Sequence, residues 1–189
     1  MTNPLLLDVP TSFESERLII RAPRLDDGLI INEAVCESIK ELKPWMIWAK
    51  NPPTKEQSIV LAKQSHINYI SHKDFQLLLF CKKTKKLVGS SGLHGIDWDV
   101  RKFEIGYWIR TSYANQGYIT EAVNAISTFA FEQLQANRLE IRCDEQNSKS
   151  ANVAKKCGFI LEGILRNDSI GTDGELRNTM VFSKLKEDE

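Results

Sequence analysis

At 189 residues, with 25 basic and 25 acidic side chains, the chain has the size of one domain and no net charge. That balance argues against a sequence-independent nucleic-acid binder, which needs a net basic face, and leaves room only for a local basic patch. No apolar run approaches the roughly 20 residues of a membrane span. Cys36, Cys81, Cys143 and Cys157 are scattered, with no His at ligand spacing. They read as reduced packing residues, not as disulfides or metal ligands. The N-terminus lacks the basic and long apolar segments of a signal peptide, which points to the cytoplasm. We expect one domain over 1–189, with a loose leader over 1–13 and a core of about 14–185.

In chain order, ERLIIR over 16–21 predicts a short strand. Apolar residues from Leu29 to Leu42 recur at helical spacing over 25–42, and Pro44 stops that helix. Next comes LKPWMIW over 42–48, rich in large apolar side chains for a connection. Trp45 and Trp48 there either seal a helix pair or wall a substrate cleft. Thr54 and Gln57 have capping-box spacing at the start of a helix reaching about residue 72. His66 on that helix reads as a half-buried face residue.

Strands follow over 75–82 and 87–96, joined as a hairpin. RKFEIGYWIR over 101–110 alternates. Phe103, Ile105, Tyr107 and Ile109 take one face; Glu104, Gly106, Trp108 and Arg110 take the other. A helix is expected over 120–134, a strand over 137–142 and a short helix over 147–157. Gly158 suits the left-handed end of that last helix. Strands over 159–170 and 175–185 then meet at an Asp-Gly turn. Helices interspersed with strands and hairpins predict an α/β or α+β fold, a mixed sheet with helices on both faces.

The stretch YANQGYITEAV over 113–123 is the best anion site in the chain. A strand feeds it and a helix leaves it. First-turn N–H groups lack internal partners and sit at the positive end of the helix dipole. Gly117 lets an anion reach that backbone, although a glycine there also serves as a plain turn.

EIGYW over 104–108, QGYITEA, RLEIRC, the N-x-x-S of Asn147 and Ser150, and GFILEG with LR over 158–166 stand in a fixed order. Together they resemble the GNAT superfamily of N-acetyltransferases. More narrowly they resemble its Rim (RimJ/RimL-like) branch, which acetylates ribosomal-protein N-termini, and the related spermidine acetyltransferases. The resemblance covers about 14–185 and is specific over about 101–166. It implies a mostly antiparallel central sheet with a splayed fourth strand. It also implies acetyl-CoA as co-substrate, a primary amine as acceptor, no metal, and a monomer or homodimer. By the same resemblance, Gln116, Gly117, Tyr118, Ile119 and Thr120 bind the pyrophosphate. Trp108, Ile109 and Arg110 pair with the pantetheine arm through backbone groups. The chain departs from the family pattern at Ala114 and Ile119, flanking the glycine. It departs again at Ala154, where many relatives carry a catalytic tyrosine. Ser150 aligns with the serine proposed to serve instead in the Rim branch.

The chemistry then assigns roles. Ser150 is the candidate donor to the departing sulfur, against a plain helix-surface serine. Asn147 holds pantetheine amides or caps its own helix. Glu104 is the candidate base and acceptor-site residue, or a solvated strand glutamate. Asp168 is a second acid or base candidate. An α-amine titrates near ~8, whereas a lysine amine near ~10.4 is neutral about one time in a thousand, a deficit of roughly 4 kcal/mol. A weakly marked base therefore fits a protein N-terminus. The alternatives are a small-amine enzyme, for polyamines or an aminoglycoside-like compound, and a non-catalytic acetyl-CoA-binding module. Glu33, Glu37 and Glu41 are the acidic stripe a polycation would use, or a solvated helix face.

Overall fold

The structure, a computed structural model, describes residues 3–188. Strands β1 (Ser12–Glu14) and β2 (Leu18–Arg21) precede helices α1 (Gly28–Leu42) and α2 (Lys55–Ile70). Strands β3 (Phe75–Cys81), β4 (Leu87–Asp97) and β5 (Lys102–Ile109) follow, then α3 (Tyr118–Gln133). The chain closes with β6 (Arg138–Asp144), α4 (Ser148–Lys156), β7 (Ile160–Ile170) and β8 (Leu176–Leu185). All eight strands join one sheet in the order β1-β2-β3-β4-β5-β6-β8-β7. Every neighbouring pair is antiparallel except β5 and β6. The fold is α+β, as the interspersed helices and hairpins predict.

Period-two alternation sends side chains of one strand into two cores. Leu77 and Leu79 join the α3 and α4 side with Phe103, Ile105, Val123 and Ile126. Leu78 joins the α1 and α2 side with Val35, Ala62 and the half-buried Trp108. Buried on both faces, β3 reads as a continuous apolar run. The capping box forms at α2: Gln57 N–H donates to Thr54 Oγ1 at 3.1 Å, and Thr54 N–H to Gln57 Oε1 at 2.8 Å. Gly158 sits at φ +79° beyond α4. His66 is half-buried, with Nδ1 2.8 Å from the Pro23 carbonyl. Of the cysteines expected in packing, Cys36 is exposed instead.

The leader expected to be loose is tied down in its described part. Ser12–Glu14 pair with β2, and Phe13 stacks on Phe129 of α3 with ring centroids 4.5 Å apart. Tyr69 donates its hydroxyl to the Pro10 carbonyl at 2.6 Å. Three residues are too few to show a period, so the added edge strand left no mark in the pattern.

The turn after β2 is locked by a buried ion pair. Arg21 donates two bonds to Asp27, at 2.7 and 2.8 Å, and the Arg24 N–H adds a third. Burial works upward on the Asp27 carboxyl, but the bonds from Arg21 and Arg24 outweigh it and hold the group below its ordinary value. Stability from such a carboxylate is fully present above its unfolded value near ~4 and is lost as pH falls through the folded value. Asp27→Asn should cost about 2 kcal/mol at neutral pH. Urea unfolding at pH 7 and pH 3 should show the gap to wild type closing on the acid side.

Candidate active site

Strands β5 and β6 pair only at Lys102 with Arg138, Phe103 with Leu139, and Glu104 with Glu140. Beyond that point they part. β5 stays with β4 as far as Ile109 opposite Gly89, and β6 stays with β8 as far as Asp144 opposite Thr179. The Arg110 N–H donates to the Val88 carbonyl at 2.8 Å, and the Gly106 carbonyl accepts from Ser91 Oγ at 2.8 Å. Both therefore face β4. Alternation turns the backbone groups of Tyr107 and Ile109 into the gap. An extended ligand can add there as a strand does, with an Ile109 N–H free to polarise a carbonyl.

The Arg110 N–H, expected among the backbone groups that meet the ligand, is turned to β4 instead. The Arg110 guanidinium is held by Glu33 and Glu37 of α1, each at 2.6 Å. Glu37 also accepts from the Ser112 N–H at 3.1 Å, and Glu41 from the Thr111 hydroxyl at 3.0 Å. The acidic stripe therefore clamps the end of β5 and the connection behind it. A guanidinium at that strand end outbids any dilute cation for those carboxylates, because it is covalently held in place.

The chain then reaches Gly117 at φ +80°, the residue before α3, with no side chain capping the helix. Glu121 N–H bonds the Gly117 carbonyl at 3.1 Å, so the N–H groups of Tyr118, Ile119 and Thr120 have no partner within the helix. Gln116 spends its side chain on the Ser112 carbonyl at 3.2 Å. Sequence reasoning missed Arg17. Its Nε donates to Glu121 at 2.6 Å, its Nη1 donates to the Gln116 carbonyl at 2.9 Å, and its guanidinium lies 4.4 Å over the Tyr118 ring. Its Nη2 would lie 3.4 Å from a Cβ at Gly117. A cation thus stands beside the orphan amides.

On the other side of the gap, Asn147 Oδ1 accepts from the Ser150 N–H at 3.1 Å and caps α4. Its amide nitrogen has no protein partner among the described residues. Ser150 is met by Tyr107, which sequence patterning places on one face of its strand and gives no role. The Tyr107 hydroxyl donates to the Ser150 carbonyl at 3.0 Å and lies 2.9 Å from Ser150 Oγ. Burial holds the Tyr107 phenol above its ordinary range, against the pull of the Ser150 bond. It therefore stays a neutral donor. Ala154 is fully buried, so the phenol near Ser150 comes from β5 and not from the helix.

A cleft of about 900 Å³ opens between the two helices and β4–β5. Met46, Ile47 and Trp48 wall it with Trp108; Asp74, Gln76, Ser90 and His94 make its polar side. Trp48 packs on Trp108 with ring centroids 6.4 Å apart. Trp45, expected as the second wall, does not line the cleft and is 41% exposed. The short helical turn Ile47–Ala49 brings Trp48 against Trp108 at the cleft wall, where it stays 53% exposed. Glu104 lies opposite His94 and Glu140 in the sheet. Burial pushes its carboxyl up, against the charges of Arg142 and His94, and it is not among the cleft residues. Asp168 accepts from Arg142 at 2.9 Å and is likewise outside the cleft. Among the described residues, no group of His, Cys, Asp and Glu is set to hold a metal, and no helix is long and apolar enough to cross a membrane.

A family model described as an acetyltransferase (GNAT) domain matches residues 17–160. YdaF of Bacillus subtilis (strain 168), whose assignment as a ribosomal N-acetyltransferase is itself inferred, is 30% identical over 175 residues. That match spans 91% of this chain and 93% of YdaF. The ribosomal-protein-serine acetyltransferase of Escherichia coli (strain K12) is 26% identical over 153 residues, 80% of this chain and 84% of that one. Among solved structures, the microcin C7 self-immunity acetyltransferase MccE, in complex with acetyl-CoA and AMP, matches with a TM-score of 0.86. It covers 94% of this chain and 97% of its own at 23% identity, a likeness of fold. RimL, a ribosomal L7/L12 α-N-protein acetyltransferase in complex with coenzyme A, shares the fold with a TM-score of 0.86. It covers 96% and 99% of the two chains at 19% identity.

Proposed function

Because the chain belongs to the acetyltransferase (GNAT) domain family, we propose that it transfers acetyl from acetyl-CoA to the N-terminal α-amine of a protein, a ribosomal protein first, by direct attack in a ternary complex. The observation that carries this reading is the parting of β5 from β6. It leaves the Tyr107 and Ile109 backbone open along one edge, and the chain leads from there to the orphan amides after Gly117. In this reading Tyr118, Ile119, Thr120 and Arg17 hold the pyrophosphate. The Ile109 N–H polarises the thioester carbonyl, the Asn147 amide meets the pantetheine arm, and Ser150, backed by Tyr107, hydrogen-bonds the departing sulfur. The acceptor enters from the Trp48–Trp108 side. The setting is the cytoplasm, with the chain as monomer or homodimer.

An α-amine is favoured over a polyamine for two reasons. The carboxylates of Glu33, Glu37 and Glu41 are already spent on Arg110, Ser112 and Thr111. The relatives YdaF and the Escherichia coli enzyme carry ribosomal names. A thiol-release assay tests the reading, using acetyl-CoA with Ser- and Ala-starting peptides, Nα-blocked lysine and spermidine. The peptides should turn over at least about tenfold faster than the others, given the roughly 4 kcal/mol deficit of a lysine amine. Spermidine turnover without peptide turnover would move the protein to the small-amine class. Acetyl-CoA binding with no thiol release from any amine would end the transfer reading.

A further inference from the structure

The polar side of the acceptor cleft contains a pair that no role above uses. His94 Nδ1 lies 2.6 Å from Asp74 Oδ2. The two side chains are 38% and 30% exposed, open to the cleft but not free in solvent. Asp74 comes from the residue just before β3, and His94 from β4 opposite Glu104. The ring occupies space that two glycines leave. Gly92 and Gly106 are register partners across β4 and β5. A Cβ at Gly92 would lie 3.1 Å from His94 Cε1, and one at Gly106 3.1 Å from Cδ2 and 3.4 Å from Nε2. A side chain at either place would press on the imidazole. Gly106 directly precedes Tyr107, whose backbone faces the gap and whose hydroxyl meets Ser150. The ring therefore lies beside β5 at Gly106, three residues before Ile109, whose N–H is assigned to the thioester carbonyl.

The tautomer follows from chemistry. An ionised carboxylate only accepts, so the Nδ1 facing it carries the hydrogen. In the neutral ring this leaves the lone pair on Nε2, which has no protein partner among the described residues. The other acids nearby are unsuited to the task. Glu104 is outside the cleft, and Asp168 is paired with Arg142.

We propose that His94 Nε2 takes the proton from the attacking amine, with Asp74 as the positioning residue that fixes its tautomer and aim; this rests on the acetyl-transfer reading. The amine lone pair forms the N–C bond to the thioester carbonyl carbon, and the proton on that nitrogen passes to Nε2. Collapse of the tetrahedral carbon breaks the C–S bond, and the sulfur takes a proton from the Ser150 hydroxyl. The products are the amide and free CoA thiol. His94 gives its proton to solvent, and Ser150 recovers one from it.

The test uses the full chain with acetyl-CoA and a Ser-starting peptide, and follows thiol release. His94→Gln should lower kcat about 30-fold, below the usual range of about 100-fold or more for a lost general base because an α-amine near ~8 is already partly neutral. The calorimetric Kd for acetyl-CoA should stay at the wild-type value, which also shows that the variant is folded. Asp74→Asn should lower kcat with the same unchanged Kd. In His94→Ala, added imidazole should restore turnover in a saturable way above the protein-free background, and in Asp74→Asn it should not. Wild-type kcat in His94→Gln, or a loss in His94→Ala that imidazole does not relieve, overturns the assignment alone. If neither His94 variant folds, wild-type kcat in Asp74→Asn overturns it. A wild-type chain that turns over no amine overturns this assignment and the transfer reading together.

Discussion

Gly117→Glu should raise the Kd for acetyl-CoA at least about 100-fold in calorimetry, the equivalent of two steps of about 1.4 kcal/mol. Two effects combine. The backbone stands at φ +80°, where an L side chain costs roughly 1–2 kcal/mol. The new carboxylate would also sit beside the N–H groups of Tyr118 to Thr120 and within reach of Arg17 Nη2, occupying the positive site that the pyrophosphate needs. Gly117→Asn separates the two contributions. Asn tolerates the left-handed region better than other non-glycine residues and brings no charge, so it should cost about tenfold or less. Equal losses in both variants would assign the effect to strain, and an unchanged Kd in Gly117→Glu would remove the anion from this turn. A thermal melt without ligand checks that each variant folds.

The second large effect is expected in turnover. Ser150→Ala should lower kcat about 100-fold with little change in acetyl-CoA affinity, the scale of a lost proton donor. Tyr107→Phe should do nearly as much, although sequence patterning places Tyr107 only on one face of its strand. The Tyr107 hydroxyl has two acceptors almost equally placed, the Ser150 carbonyl at 3.0 Å and Oγ at 2.9 Å. When Ser150 turns its hydrogen to the departing sulfur, Tyr107 can turn its own to Oγ and support the charge. Groups acting in this way are non-additive, so the double variant should be no worse than the slower single one. Full turnover in Ser150→Ala would take the hydroxyl out of the reaction. Independent, multiplying losses would show that Tyr107 and Ser150 do not work together.

Much of the frame was legible before any coordinates. The Thr54–Gln57 box, the alternation of β5 and the left-handed Gly158 all follow from rules acting within a few residues. The same holds for Gly117 before α3, whose backbone needs no distant partner to adopt φ +80°. Resemblance added the setting of those elements. The loop over 42–48 was half legible. Its apolar content pointed to the cleft, but only the packing of Trp48 on Trp108 decided which of the two tryptophans lines it.

By itself, then, the sequence determined the element order, the alternating faces and the turn that offers bare amides to an anion, because those depend on backbone period and local dihedrals. Tertiary structure alone decided which side chains meet. Arg17 reaches Glu121, 104 positions away. Arg110 reaches Glu33, 77 away. Tyr107 reaches Ser150, 43 away, and His94 reaches Asp74, 20 away. Such partners are set by strand register and helix packing, which a one-residue slip would change without altering any local pattern. Gly117 was readable as a turn an anion could approach, but the cation beside it came from the start of the chain, and only the fold brought it there.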